Sequence, residues 1–144
     1  MINEHDLEAF EYYDRQWMKD PRNQTPLEMV REFAEAMDQP LDQPFSDTTL
    51  INLRYRLIDE EVLEATEAGE ESLPKDELLK ELADIVYVVY GFAATFGWNL
   101  DEAVRRVHDS NMSKLYPDGK PRYRDDGKVL KSPSYEAPDL KDLV

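Results

Sequence analysis

The chain has 144 residues, with 17 Lys and Arg against 32 Asp and Glu, a formal net charge of −15 at pH 7, and no cysteine. That length suits one domain with a real core, taken here as residues 1–144, and no stretch approaches the roughly 18 uninterrupted apolar residues that would cross a bilayer. The missing cysteine excludes disulfide scaffolds, thiolate metal sites and cysteine nucleophiles, and the negative charge disfavours non-specific binding to nucleic acid or an anionic membrane.

The N-terminus, Met-Ile-Asn-Glu-His-Asp, is acidic and polar, unlike a targeting peptide, so a soluble cytoplasmic protein is expected. From Glu4 to Lys19, Leu7, Phe10, Tyr13 (or Asp14) and Trp17 fall at helical spacing and predict an extra N-terminal amphipathic helix within residues 1–20. Asp20-Pro21 and the stretch Asn23 to Pro26 break it. Thr25 reads as an N-cap, with Pro26 at the first helical position and Glu28 at the third, starting a helix through Val30, Phe33, Ala34 and Met37. Pro40 and Pro44 enclose a loop, after which Ser46 or Asp47 caps the next helix.

That next segment and the one after it both carry carboxylates where a helix should be apolar. Leu50, Leu53, Leu57 and Ala68 form one stripe, and Glu60, Glu61 and Glu64 lie within about 50° of its centre, so they are expected to point inward. Gly69 reads as a helix-ending signal, and Ser72 with Pro74 as a cap and first-turn proline. The segment Leu78 to Tyr90 then places Glu81 and Asp84 one turn apart, beside an apolar arc of Leu78, Leu82, Ile85, Val89, Phe92 and Phe96. An antiparallel hairpin of these two helices can bring the acids together. Four or five carboxylates cannot share a partly dry site as bare anions, because repulsion and desolvation oppose it. A divalent cation resolves the conflict, and ligands that are all oxygen favour Mg²⁺ or Mn²⁺ over zinc. The two histidines, His5 and His108, are too far apart for an HExxH site.

Beyond Gly97, Asn99 caps a further helix with Asp101 and Glu102 in its first turn and Leu100, Ala103, Val104 and Val107 facing inward. From Leu115 the chain is rich in turn residues, and Asp125-Asp126-Gly127 between Arg-Tyr-Arg and Lys-Val-Leu predicts a short β-hairpin lying on the helices. Basic residues gather between Arg105 and Lys131, as a polyphosphate partner would require.

The pattern E-E-V-L-E followed after a turn by E-L-A-D resembles the all-α nucleoside triphosphate pyrophosphohydrolases, the MazG-like family with its dimeric-dUTPase-like branch. The tail, Asn111-Met-Ser-Lys114 and Asp126-Gly-Lys-Val-Leu-Lys131, is similar to that branch as well. The resemblance implies an all-α bundle of four to five helices, with the acidic hairpin at its centre and residues 115–144 covering the substrate. It implies that Glu61, Glu64, Glu81 and Asp84 hold two or more Mg²⁺ ions, with Mn²⁺ able to substitute, and that Asn111, Lys114, Lys128 and Lys131 bind phosphate. Glu60 becomes the candidate general base, and Phe33, Met37 and Trp17 are candidates for packing against the base. The implied reaction splits a nucleoside triphosphate, of dUTP or dGTP type, into a monophosphate and pyrophosphate.

The implied assembly is a homodimer, which the nearly all-round apolar character of Ile85 to Phe96 also suggests. The rival reading is a non-catalytic acidic helical protein that mimics DNA, which requires outward carboxylates. A di-iron bundle is disfavoured because no histidine follows Glu61 or Glu81 at Glu-x-x-His spacing.

Overall fold

The structure, a computed structural model, describes residues 23–144. The N-terminal helix expected over residues 1–20, with Trp17, lies outside the described residues. Four α-helices follow in order: α1 (Pro26–Ala36), α2 (Thr48–Glu70), α3 (Lys75–Thr95) and α4 (Leu100–Met112), with a 3₁₀ turn over Lys141–Leu143. No strand forms among the described residues, so the protein is an all-α bundle.

Local chemistry sets most helix starts. The Thr25 hydroxyl accepts from the Glu28 amide while the Glu28 carboxylate accepts from the Thr25 amide, a reciprocal cap that satisfies two otherwise orphaned donors. Asp47 rather than Ser46 caps α2, accepting from Thr49 and Leu50 amides. Asn99 caps α4 by accepting from the Glu102 amide. The reversal between α2 and α3 departs from expectation. The helix runs through Gly69 to Glu70, Ser72 takes a left-handed conformation (φ 55°), and Pro74 sits at the N-cap with no side-chain cap. Continuous hydrogen bonding on the α2 side carries the chain past a glycine that is merely permissive.

Helices α2 and α3 pack against one another as the predicted hairpin, and α1 lies across α3. The core contains Val30 of α1 with Tyr90 and Ala94 of α3, flanked by Leu27, Leu41 and Leu100. At the far end of α3, Phe92 and Phe96 form an aromatic group with Phe45 and Trp98, ring centroids 4.9 to 6.3 Å apart. Amides of Asp42 and Gln43 donate to the Ala94 and Thr95 carbonyls, which satisfies the end of α3, and Gly97 turns the chain at φ 73°.

Two expectations fail downstream. Val104 and Val107 are 51% and 39% exposed rather than inward, because α4 rests on α1 and the terminal turn through its other face. The predicted hairpin reduces to one antiparallel bridge, Tyr123 with Val129, around Gly127 at φ 83°. So short a ribbon is too weak to extend alone, and serines hold the tail to α4 in its place. Ser110 donates to the Glu136 carbonyl (2.7 Å), Ser132 donates to the Ser113 carbonyl (2.8 Å), and the Ser113 hydroxyl accepts from the Glu136 amide (2.9 Å).

Candidate metal centre and adjoining cavity

The inward phase of both acidic segments and the antiparallel packing of α2 on α3 converge at one place. Carboxylate oxygens of Glu61, Glu81 and Asp84 lie within 4.8 Å of one another, all three side chains half-buried. Glu61 comes from the middle of α2, whereas Glu81 and Asp84 occupy successive turns of α3. Burial first, then the charges of Glu64, Asp84 and Glu81, push the Glu61 carboxyl above its ordinary range, with Lys80 opposing. The ammonium of Lys80 donates to Glu81 (3.2 Å) and Asp84 (2.7 Å), and those bonds raise its own pKa. This lysine, 64% exposed, offsets part of the negative charge from the solvent side.

One oxygen of Glu81, Oε2, is buried with no hydrogen-bond partner. A buried carboxylate oxygen without a donor is costly, and the residue that carries it belongs to a cluster of three carboxylates. Carboxylate oxygens alone, converging and incompletely satisfied, fit a hard divalent ion such as Mg²⁺ or Mn²⁺. Glu60 and Glu64 are exposed, contrary to the inward position expected of the whole set. They flank Glu61 on the solvent side of the α2 wheel, where the hairpin contact has already turned away. Glu64 remains near enough to act on Glu61 electrostatically.

Beside the acids lies a cavity of about 260 Å³, walled by Leu57, Phe33, Tyr87 and Val88, with Glu61 and Asp84 at one side. Phe33 meets Tyr87 edge-on at 5.7 Å, so the expected aromatic wall exists in part. Met37 is 57% exposed and does not line it, since the helix ends one residue earlier. Asn111 and Lys114 bond to each other (2.7 Å) at the end of α4, and Lys128 and Lys131 sit on the exposed tail. None of these four lines the cavity.

The cavity also holds a residue the sequence reading passed over. Arg54, on α2 two turns before Glu61, is only 7% exposed, and its Nε has no partner. Burial lowers its pKa. A signal was available: Arg54, Leu57 and Glu61 share one helical row, so a cation stood in the inward stripe. Tyr87 was missed likewise, although it follows Asp84 by three residues on α3.

A helical hairpin that brings three carboxylates together beside an aromatic-walled cavity is an all-α arrangement able to hold a divalent cation. The comparisons with known proteins agree. A profile of the phosphoribosyl-ATP pyrophosphohydrolase family matches residues 30–111, which span all but the start of α1 and nearly all of α4. The chain belongs to that family, within the MazG-like all-α superfamily. It is also similar to the uncharacterized protein L479 of Acanthamoeba polyphaga mimivirus, 32% identical over 127 residues, covering 83% of this chain and 48% of that protein. The chain thus spans about half the length of this curated relative. No helix among the described residues is long and apolar enough to cross a membrane.

Proposed function

We propose that the protein is a Mg²⁺-dependent nucleoside triphosphate pyrophosphohydrolase that releases pyrophosphate and a nucleoside monophosphate, acting on deoxynucleotides of the dUTP or dGTP type. One observation carries this reading: Glu61, Glu81 and Asp84 converge beside a cavity with an unsatisfied buried carboxylate oxygen among them. Family membership supports the pyrophosphohydrolase class.

Glu61, Glu81 and Asp84 would hold the ion, with Glu64 one turn along α2 completing the set for a second. When bound, the cation supplies neutralisation of the phosphate oxygens and acidity to water at the site. The protein's own groups do the rest. Glu60, adjacent to Glu61 and in contact with solvent, accepts the proton of the attacking water. The apolar walls exclude competing water and fix the nucleoside, so attack at the α-phosphorus proceeds by positioning, without a covalent nucleophile. Asn111, Lys114, Lys128 and Lys131 are assigned to the phosphates as the tail closes. Lys80, already on two of the carboxylates, would have to release them for these residues to hold a cation.

We assign the active form as a homodimer. Leu79, Leu82 and Val86 of α3 and Leu63 of α2 are 66%, 49%, 53% and 57% exposed, an apolar surface larger than one protomer covers. Light scattering at micromolar concentration should give twice the 16.8 kDa chain mass, and a monomer rejects the assignment. The activity itself is tested by incubating the common nucleoside triphosphates with Mg²⁺ or Mn²⁺ and reading pyrophosphate. Release that is metal-dependent and lost in Asp84→Asn supports the reading. Full activity in that variant, or thermal stability indifferent to millimolar Mg²⁺ as a DNA mimic would show, defeats it.

A further inference from the structure

We infer that Arg54 reads the edge of the nucleobase remote from the sugar, and selects bases that carry a carbonyl oxygen there over those that carry an amino group. This rests on the nucleotide reading of the site given above.

The side chain is buried, its Nε has no hydrogen-bond partner, and no carboxylate pairs with it among the described residues. Burying a charge without a partner is unfavourable, so the position makes sense when a ligand supplies acceptors. Its location says which part of the ligand. A methyl placed on Gly91 would come 3.5 Å from Arg54 Nη1, so the guanidinium lies over the bare backbone of α3 there. Gly91 is seven residues beyond Asp84, about 10 Å along the helix. Arg54 and the acids therefore occupy opposite ends of one cavity.

Apart from Arg54 and the two acids the lining carries no charge: it is mostly apolar, with Leu57, Phe33, Tyr87 and Val88, and includes the amide of Gln39. A polyphosphate belongs with the cation and the solvent-facing lysines, not in an apolar slot. A flat base fits between an aromatic edge and aliphatic walls. With the phosphates at the acidic end, the base presents its far edge to Arg54, namely O4 or N4 of a pyrimidine and O6 or N6 of a purine.

Arginine has five N–H donors and no acceptor. A keto oxygen at that edge accepts from it, whereas an exocyclic amine sets donor against donor and leaves both unpaired. A site that hydrogen-bonds one group rejects the analogue lacking it far more strongly than an apolar pocket rejects a change of shape.

Two nucleotide pairs isolate that edge: dUTP with dCTP, and dITP with dATP. We would measure kcat/KM by pyrophosphate release, and binding of the matching monophosphates in Mg²⁺ by calorimetry, for the wild type, Arg54→Gln and Arg54→Lys. The wild type should favour the keto member of each pair by about tenfold or more. Arg54→Gln, whose amide both donates and accepts, should bring the ratio within about threefold, chiefly by losing the keto substrate. Arg54→Lys, a donor without the planar fork, should keep the direction of preference at reduced size, and it carries the test if the glutamine variant does not fold. Inorganic pyrophosphate should inhibit all three proteins equally.

Equal use of keto and amino bases by the wild type overturns the inference, as does an unchanged ratio in Arg54→Gln. A pyrophosphate affinity that falls with the substitution makes Arg54 a phosphate ligand and also overturns it. If no nucleotide is hydrolysed, the proposed activity falls, and calorimetry still decides Arg54: a keto preference that disappears on substitution sustains it, and absence of binding rejects it.

Discussion

Neutralising one acid of the cluster should stabilise the cation-free protein. At the 4.8 Å limit on their separation, two unit charges repel by about 0.9 kcal/mol in water and about 3.5 kcal/mol at the effective dielectric of ~20 suited to half-buried groups. Glu61 faces two such neighbours, Glu81 and Asp84, and the Lys80 ammonium at 3.2 and 2.7 Å from those two returns much of that repulsion. After solvent screening, a net gain of about 1 kcal/mol is expected for Glu61→Gln, which for a chain of this size raises Tm by about 3–4 °C. Calorimetric melts at neutral pH in excess chelator read it directly. The gap should shrink on acidification, since the folded pKa of Glu61 is raised and protonation removes the same charge in the wild type. Adding Mn²⁺ or Mg²⁺ should then reverse the order. A cation at about 100 times its Kd stabilises the wild type by about 2.7 kcal/mol, and the variant, short of a ligand, by much less. A variant less stable than the wild type in chelator, or one that gains equally from the cation, would refute the reasoning.

Other groups give independent readouts. Hydrogen bonds from Arg105 and then Arg106 hold the Glu102 carboxyl down at about 2 against an ordinary 4.5, so its stabilisation is full above pH 4.5 and is lost as the pH falls toward 2. Melts of wild type and Glu102→Gln should therefore differ near neutrality and converge at the acid end. Ser132→Ala removes a buried hydroxyl that donates to Ser113 and accepts from the Ser134 amide, and should cost about 1 kcal/mol. Hydrogen exchange should show the loosening confined to the tail and the end of α4. Gly97→Ala combines a left-handed backbone (φ 73°) with a Cβ 2.9 Å from Asp42 Oδ1, and should lower stability by about 1–3 kcal/mol in denaturant melts. An unchanged midpoint would refute it, since the left-handed backbone is strained for alanine even if Asp42 moves away.

Much of the architecture was legible because it is local. The Thr25, Asp47 and Asn99 caps act within three residues, so the sequence alone marks those helix starts and leaves only the choice between Ser46 and Asp47 to the structure. Gly97 needed only its own backbone freedom. The Ser72 and Pro74 reading failed for the complementary reason: whether a helix stops at a permissive glycine depends on what the following turns pack against.

At the site, helical phase put Glu61, Glu81 and Asp84 on inward faces, and the structure brings those three together. Phase could not separate them from Glu60 and Glu64, because an inward arc is about 100° wide, and contact depends on where along that arc the partner helix lies. Phase did place Arg54 in the inward row, but where along α3 its guanidinium comes to rest, over Gly91, follows from the axial register of α2 on α3. The periodicity of the chain determined the helices and the sign of each face. Only the packing of one helix on another, a matter of offset and side-chain volume between residues distant in sequence, decided which charges meet and which are left without water.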